Sequence, residues 1–531
     1  MNMKPLSLKD LLLIVPASLA LAVLLAILQD RSLAGTPGFF VLLLAGLAGL
    51  MAAWRWAGAG RPLAWMAALA LGLRLAAGTA AYLALPVDGY DEPDDRAGYV
   101  FTDAHRRDDQ AWELAGSGKP ILSAFDKSFY TDQYGGLLAL SALTYRYLSP
   151  DAHRPLLIVL LAALTASLGV PFLFRSARLL GGDQLAAAAG WFFVLYPESV
   201  LTGGAQMREP FLLTFSAMAL WGFADWLENR ERRAWAWLAS GLAGLLLISP
   251  AMALMALLIL AGWLWLRGED RRVPWGAWAA LGAVFVLGVL LLAWSVNRQQ
   301  DFGTGSPVGL ILNWMRASVK WVIHQLTQSS GQIQNVFSKL NPLAQFLFVI
   351  GYGIVQPVLP AALAEPTTLT WRLIAVLRSA GWYVLLPLLF YSLFVPRKMP
   401  AGRERRLWMW LAIACWLWII VCAIRAGGDQ WDNPRYRLIL FVWQALVAGN
   451  VWTWARAHRD PWLVRILILE LICVLLFGQW YLSRYYMIGT HFPFLLMLSL
   501  ALAAFVVTLL GGWLLDRRRA GQRLTHPPES L

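Results

Sequence analysis

The feature of this sequence that most restricts its fold is a series of continuous apolar runs, each about 18–25 residues long. As a helix, a run of that length crosses a hydrocarbon layer of about 30 Å. Lipid offers no hydrogen-bond partners, so a crossing segment must satisfy its own backbone N–H and C=O groups. The runs are therefore predicted to be transmembrane helices.

The composition indicates the same class of fold. Of the 531 residues, 59% are hydrophobic and only 14% are charged, whereas a soluble domain carries about 25% charged residues. We predict an all-α polytopic membrane protein with about 14 transmembrane helices. The predicted spans are 10–28, 38–56, 62–85, 155–178, 185–203, 209–227, 234–248, 251–266, 275–296, 375–396, 407–424, 437–455, 463–482 and 491–514.

The net charge is +13. The positions of the basic residues along the chain indicate membrane topology rather than a nucleic-acid interface. Lysines and arginines gather in every second connection between the predicted spans, and such basic connections face the cytoplasm. Both termini are therefore predicted to be cytoplasmic, and the Ala/Leu/Arg-rich composition suggests a bacterial inner (plasma) membrane. The three cysteines lie in apolar runs without metal-ligand spacing, which indicates a packing role.

Charge and hydropathy divide the chain into five parts, and settle two ambiguous segments. Residues 234–266 have basic flanks at both ends and are divided at Ser249-Pro250, since proline begins a helix well. Residues 343–363 are treated as interfacial or re-entrant, because a further crossing would move the basic 397–406 connection outside. The parts are an N-terminal hairpin (1–61), a transmembrane module (62–296) with exterior loop 87–154, an exterior loop (297–374), C-terminal transmembrane helices (375–515) and a cytoplasmic tail (516–531).

Exterior loop 87–154 is strongly acidic, with 12 of the 31 acidic residues of the chain. A helix is predicted inside it, with Asp108, Trp112 and Ala115 on one face. That face is half apolar and carries a carboxylate at one end, which suits a helix lying on the membrane surface. The apolar run 137–148 is too short to span and is predicted to be a second interfacial helix.

Several motifs follow one another in a distinctive order. They are a span containing Arg74, the loop motif Asp108-Asp109…Trp112…Ala115, the short interfacial helix, the span end Arg175-Ser-Ala-Arg178-Leu-Leu-Gly-Gly, then Tyr196-Pro197-Glu198, Arg208-Glu209 and Asp432-Asn-Pro434-Arg435-Tyr436-Arg437. In this order the sequence resembles the GT-C superfamily of membrane glycosyltransferases, in particular bacterial relatives of protein mannosyltransferases and aminoarabinose transferases. The resemblance covers about residues 62–460.

The resemblance implies a polyprenyl-phosphate sugar donor and inversion at the anomeric carbon. Such chemistry needs a carboxylate to accept a proton from the acceptor and cations to stabilise the departing phosphate. Asp108 is the first candidate for the base, followed by Asp109 and then Asp103. The candidates for substrate binding are Glu198, Arg208, Glu209, Arg435, Tyr436, Arg437, Arg316 and Lys320. Among them, Glu198 and Glu209 could orient the acceptor, and Arg208, Arg435 and Arg437 could contact the phosphate.

Ordinary membrane roles remain open for these residues. Asp108 could be a helix carboxylate paired with Arg106 or Arg107, and Arg316 and Lys320 could form the cationic stripe of an interfacial helix. No cofactor is predicted, although clustered carboxylates leave a divalent cation open. The expected partners are the lipid-linked donor, a glycan, lipid or protein acceptor, and membrane lipids; no nucleic acid is expected.

Two other functions compete with the glycosyltransferase hypothesis. An O-antigen polymerase or ligase would carry essential arginines and a histidine in loops 297–374 and 425–436, whereas the glycosyltransferase needs its essential acid in loop 87–154. A lipid or glycan transporter would place ionisable groups near the middle of several spans. Arg74 is the one clear case of such a residue.

Overall fold

The computed structural model describes residues 7–266, 275–299, 306–314, 316–317, 334 and 337–525, and all regular structure within these ranges is helical. A 3₁₀ helix covers Ile121–Phe125. The α-helices are α1 (Leu8–Asp30), α2 (Thr36–Trp56), α3 (Arg61–Asp88), α4 (Pro93–Arg96), α5 (Thr102–Gly116), α6 (Gly136–Leu148), α7 (Pro155–Leu195), α8 (Pro197–Gly203), α9 (Glu209–Asn229), α10 (Arg232–Ile248), α11 (Pro250–Leu266), α12 (Trp275–Gln299), α13 (Pro342–Val355), α14 (Leu359–Ala364), α15 (Leu369–Tyr391), α16 (Val395–Lys398), α17 (Arg403–Ala426), α18 (Asp432–Leu438), α19 (Phe441–Ala457), α20 (Pro461–Tyr485) and α21 (Phe494–Thr525).

The chain is an all-α polytopic membrane protein, as predicted. In the described ranges nine helices are long and apolar enough to cross a membrane, or ten if α18 and α19, which meet at a 75° bend, form one broken span. Helices α10 and α11 have 17 residues each, at the short end of the spanning range of about 17–25 residues. The total of about 14 spans stays a prediction.

Helix α7 contains a reversal that brings two predicted spans together. Gly181 and Gly182 leave helical geometry, and Gly182 has a φ of 77°, which glycine adopts without steric cost. Across this turn Gly169 packs against the ring of Phe193, which a straight helix would place about 36 Å away at 1.5 Å per residue. The two arms correspond to the predicted spans 155–178 and 185–203, except that the second arm ends at Leu195.

The core of the bundle lies among α7, α9, α15, α17 and α19. Among its largest members are Trp382 and Trp443, whose side chains are fully buried. By contrast, only 6% of the apolar stretch of α20, and of α21, is buried inside the protein. Helices α20 and α21 therefore lie at the edge of the bundle and present their apolar side chains to lipid.

The acidic loop forms the two short helices predicted for it, α5 and α6. They pack on each other through Ala111 and Leu114 of α5 and Leu138, Ala142 and Tyr145 of α6. Because this contact uses the face predicted to lie along the membrane, that face is turned toward protein. The two helices form a layer over one end of the bundle.

Two further segments follow the sequence closely. Helix α10 ends at Ile248 and α11 begins at Pro250, where the division was predicted. Residues 343–363 form α13, a break at Gln356-Pro357, and α14. A helix interrupted in this way fits a re-entrant or interfacial segment, although its place relative to the membrane stays a prediction.

Candidate active site

Four segments that connect helices meet at one end of the bundle. Met207, in the short segment 203–208, packs with Phe101 and Ala104 of the acidic loop. Thr370, at the start of α15, donates from its backbone N–H to Asp88 at 2.7 Å. Trp431 packs edge-on against Trp371, with ring centroids 4.9 Å apart. Arg435 binds Asp103 across 332 positions of sequence. The segments brought together are 87–154, 203–208, 297–374 (its described part) and 425–436.

Charged side chains from three of these segments form one group, which we call the ionic cluster. It combines four carboxylates with three guanidinium groups, and most of its members are largely buried. The ionic cluster consists of Asp103, Arg107, Asp132, Arg208, Glu209, Asp432 and Arg435.

Arg435 occupies the centre of the ionic cluster. Its Nη2 lies 3.0 Å from an oxygen of Asp103 and 2.9 Å from an oxygen of Asp432, and its Nε lies 3.8 Å from Glu209. The guanidinium is thus shared among three carboxylates from three segments. Its position in α18, at the start of the broken pair α18–α19, points it back over the bundle end.

Asp132 fixes the other side of the ionic cluster. One of its oxygens accepts from the backbone N–H groups of Leu137 and Leu138, at 3.0 and 3.2 Å, and so caps the start of α6. The other oxygen lies 3.7 Å from Nε of Arg107 and 4.0 Å from Nε of Arg208. These contacts hold two arginines over the end of the bundle.

Several buried polar atoms of the ionic cluster have no hydrogen-bond partner among the described residues. They include three arginine N–H groups and one carboxylate oxygen: Arg107 Nε, Arg208 Nη1, Arg435 Nε and Glu209 Oε2. Buried donors without acceptors are rare in folded proteins and call for an explanation such as a bound ion or ligand. Arg107 Nε and Arg435 Nε lie 3.7 and 3.8 Å from oxygens of Asp132 and Glu209, too far for a hydrogen bond. Arg208 Nη1 is therefore the donor that most needs an acceptor from outside, such as an anion.

Asp103 is the carboxylate of the ionic cluster with the most accessible side chain. That side chain is 48% exposed, although it touches Arg435. Partial burial raises the pKa of Asp103, but the charges of Arg435, Arg107 and Arg208 outweigh it and bring the pKa below its usual value. Asp103 is therefore an ionised, half-exposed carboxylate beside the guanidinium group of Arg435.

Asp108, the first candidate for the base, lies in a different place. It is fully buried, and accepts hydrogen bonds from Tyr145 at 2.5 Å, from Tyr99, and from His153 at 2.9 Å. Burial and the nearby Asp108 charge raise the pKa of Tyr99 and of Tyr145, which keeps both phenols protonated and able to donate. His153 stacks on Trp112.

The structure separates the two carboxylates onto opposite faces of α5. Asp103 and Arg107, four residues apart, face the ionic cluster, whereas Ala104 and Asp108 line a small cavity on the other face. The second candidate for the base, Asp109, has a side chain that is 60% exposed and lies 3.4 Å from Nε2 of His105.

Glu198, predicted to orient the acceptor, forms a buried ion pair instead. Its two oxygens accept from Nε and Nη2 of Arg378 in α15, at 2.6 and 3.0 Å. Arg378 also stacks on Trp431 and donates to its carbonyl oxygen. The pair joins α8 to α15 directly beneath the segment that carries Arg435.

The remaining substrate-binding candidates lie in three different settings. Tyr436 contacts Arg435 through its ring, and donates to Asp432 at 3.1 Å. Arg437 is buried, stacks on Trp382, and donates to the carbonyl groups of Ile354 and Gln356, so it holds the break between α13 and α14 rather than an exposed ligand site. Arg316 is exposed, whereas Lys320 lies outside the described residues.

Some members of the site were not found from sequence. Asp132 is one of the 12 acidic residues of the loop, Asp432 belongs to a motif in which only the arginines and Tyr436 were assigned a role, and Arg378 is not in any motif. The Asp432-to-Arg435 spacing of three residues on a helix is a local signal that could have paired those two. Arg74, whose partner was unknown, donates to Ser199 at 2.8 Å and to the carbonyl of Phe193 at 3.2 Å.

Metal binding finds no support in side-chain grouping. Within the described ranges no group of three or more His, Cys, Asp or Glu side chains is placed to hold a metal ion. The carboxylates of the ionic cluster are instead interleaved with arginines.

No family model matches the chain, and no curated protein sequence matches it significantly. Among solved structures it is similar to the oligosaccharyltransferase AglB from Archaeoglobus fulgidus in complex with an inhibitory peptide and a dolichol-phosphate, at a TM-score of 0.38 and 15% identity, over 86% of this chain and 56% of that one. A structure of the Archaeoglobus fulgidus oligosaccharyltransferase with Zn and sulfate gives a TM-score of 0.38 and 13% identity, over 78% and 52% of the two chains.

Both of these neighbours are oligosaccharyltransferases. This chain spans about half the length of each. At a TM-score of 0.38 the likeness does not by itself establish activity, so function has to be inferred from the site.

Proposed function

We propose that this chain is a GT-C-type glycosyltransferase, which moves a sugar from a polyprenyl-phosphate donor to an acceptor with inversion, at the exterior face of the membrane. The observation that supports this most is the ionic cluster: an ionised, half-exposed Asp103 beside arginines whose buried N–H groups lack acceptors. A base and an anion site side by side are what transfer from a lipid phosphate requires.

The proposed reaction is a single in-line displacement. The nucleophile of the acceptor attacks the anomeric carbon, and the bond from that carbon to the phosphate oxygen breaks. The phosphate departs on the lipid with the bonding electron pair, stabilised by Arg208 and Arg435. Asp103 accepts the proton that the nucleophile loses.

Asp103 suits the base better than Asp108 or Asp109. A base must reach the proton that it abstracts, and Asp108 is fully buried with three donors on its carboxylate. Asp109 is exposed, but its contact is His105 rather than a cation of the ionic cluster. Asp103 combines access with arginine neighbours.

Donor binding would also strengthen Asp103 as a base. In the free protein the neighbouring arginines lower the pKa of Asp103, and so weaken its proton affinity. A phosphate bound to Arg435 and Arg208 would offset part of that positive charge, and the pKa of Asp103 would rise. The acceptor would then be activated only when the donor is in place.

The test is release of polyprenyl phosphate by the purified protein in detergent, from a panel of polyprenyl-phosphate sugars with candidate acceptors. We expect release with one sugar class, dependent on an acceptor. Inversion is read from the anomeric configuration of the product. Transfer from a polyprenyl-diphosphate glycan, with no reaction of any monophosphate donor, would contradict the proposal and support the polymerase or ligase alternative.

The pH dependence of kcat/KM should show the effect of the neighbouring arginines on the pKa of Asp103. Because the free carboxylate is required and its pKa lies below the usual Asp value, kcat/KM should fall only as pH drops below about 4. Arg435→Gln removes a charge that lowers this pKa, so its acid limb should move to higher pH. An unchanged limb in Arg435→Gln would show that another group titrates.

Asp108→Asn should mainly change stability. The amide presents one acceptor oxygen where the carboxylate has two, so a buried donor among Tyr99, Tyr145 and His153 loses its acceptor, at a cost of about 1–3 kcal/mol. We expect a lower thermal unfolding midpoint in detergent, with turnover per folded molecule within about tenfold of wild type. The matched control is Asp109→Asn, an exposed neighbour on the same helix. Loss of turnover at unchanged stability would assign the base to Asp108.

A further inference from the structure

Arg425, in the last turn of α17, has an unusual environment that the ionic cluster does not explain. Its guanidinium carbon lies 4.6 Å from the ring centroid of Trp314 and 4.6 Å from that of Tyr436. Among the described residues no hydrogen bond or ion pair involves the side chain of Arg425. It is a half-buried cation with two aromatic contacts and no anionic partner in that part of the chain.

Aromatic rings on a guanidinium leave its edge available. Stacking covers the faces of the planar group and removes water from them, whereas the N–H donors project from the rim. Those donors can bind two oxygens of a carboxylate or phosphate at once. An arginine held by two rings, without an acidic partner among the described residues, can thus bind an anion from outside the chain.

The aromatic neighbours connect Arg425 to the site. The ring of Tyr436 also contacts Arg435, with 5.4 Å from guanidinium carbon to ring centroid. Trp314 packs in one apolar cluster with Tyr134. The guanidinium carbon of Arg208 lies 4.9 Å from the ring centroid of Tyr134. The three arginines are therefore linked through aromatic side chains and through the apolar cluster that Trp314 and Tyr134 share.

An apolar helix packs against the same residues. Leu292 and Val296 of α12 are buried in the apolar cluster of Tyr134 and Trp314. Leu290 and Trp294, each 50% exposed, lie on the opposite face of α12, since a helix turns by about 100° per residue. The aromatic residues that contact the arginines are therefore backed by a packed apolar layer.

We propose that Arg425 binds the phosphate of a lipid-borne ligand and, together with Arg208 and Arg435, forms the phosphate-recognition surface. This rests on the proposed function and adds a residue from α17 to it. Arg425 takes the role that the sequence suggested for Arg437, whose donors are used on the carbonyl groups of Ile354 and Gln356.

The test is equilibrium binding to the purified full-length protein in detergent. Four probes are compared: polyprenyl phosphate, a polyprenol of equal chain length, phosphatidylglycerol and inorganic phosphate. The variants are Arg425→Gln and Arg425→Lys. The matched control is Arg484→Gln, since Arg484 also stacks on a tryptophan, Trp480 at 4.3 Å, near the end of a peripheral helix.

We expect wild type and Arg484→Gln to prefer polyprenyl phosphate over polyprenol, and Arg425→Gln to bind polyprenyl phosphate about 10- to 100-fold more weakly with unchanged polyprenol binding. Arg425→Lys should recover only part of the loss, because lysine lacks the planar fork. If Arg425→Gln weakens the binding of phosphatidylglycerol by the same factor, a specific contact with the donor is wrong and the site binds lipid headgroups in general. Equal loss for inorganic phosphate would likewise make the site one for free phosphate.

The outcomes separate this inference from the proposed function. If wild type prefers polyprenyl phosphate and Arg425→Gln retains that preference, the role of Arg425 is wrong while the donor class stands. If wild type itself does not distinguish polyprenyl phosphate from polyprenol, the donor class is wrong. Unfolding midpoints of all variants show whether a loss of binding reflects a loss of fold.

Discussion

Asp103→Asn is expected to lower kcat by about 10²–10⁴-fold, the range in which a positioned acid or base contributes. Asparagine has nearly the same shape, and its amide oxygen can still accept from Arg435, which lies 3.0 Å from the carboxylate. It cannot take up a proton from the acceptor. The donor KM should therefore change little, because the loss occurs in the chemical step.

The matched control for this prediction is Asp432→Asn. Asp432 lies 2.9 Å from the same Arg435, and its side chain is 42% exposed, close to the 48% of Asp103. Both variants remove one negative charge next to one arginine, so a general electrostatic effect would lower the rate of both. We expect the large loss in Asp103→Asn alone.

Two results would contradict the assignment of the base. A large loss in Asp432→Asn with a small one in Asp103→Asn would move the base to α18. Similar losses in both would indicate that the carboxylates position Arg435 instead of transferring a proton. In each case a monodisperse elution profile and an unchanged unfolding midpoint show that the variant is folded.

Much of the fold was predictable because the signals were local. Pro250 marks the start of α11, and the run 137–148 is too short to span, so both features could be inferred from a few adjacent residues. The reversal in α7 is similar, since Gly181-Gly182 separates two apolar runs. Each of these inferences needs helix geometry and nothing about distant parts of the chain.

The site was less predictable because its pairings are distant. The loop motif identified α5. The choice between Asp103 and Asp108 as the base, however, depends on which face of α5 packs against α6, where Tyr145 donates a hydrogen bond to Asp108. Likewise Arg435 and Arg437 are two residues apart in α18, on different faces: one meets Asp103, and the other meets the end of α13. Residue types alone do not show these faces.

The ion pair of Glu198 and Arg378 provides the second large effect, on stability. Arg378→Met should cost about 3–5 kcal/mol, because it leaves the carboxylate of Glu198 buried without its two donors. Replacing both partners, as Glu198→Met with Arg378→Met, removes the buried charge and should recover part of that loss. Unfolding of the purified single and double variants in detergent, arranged as a double-mutant cycle, measures the coupling.

A further variant, Glu198→Gln, shows whether Glu198 has a structural role or a role in substrate binding. If the pair is structural, Glu198→Gln should lower the unfolding midpoint, because Arg378 then faces a neutral amide in a buried site. Donor affinity should change through Trp431, which Arg378 supports by stacking, and which precedes the helix that carries Arg435. A Glu198→Gln variant that keeps its midpoint but loses acceptor-dependent turnover would instead place Glu198 among the groups that orient the acceptor, as the sequence suggested.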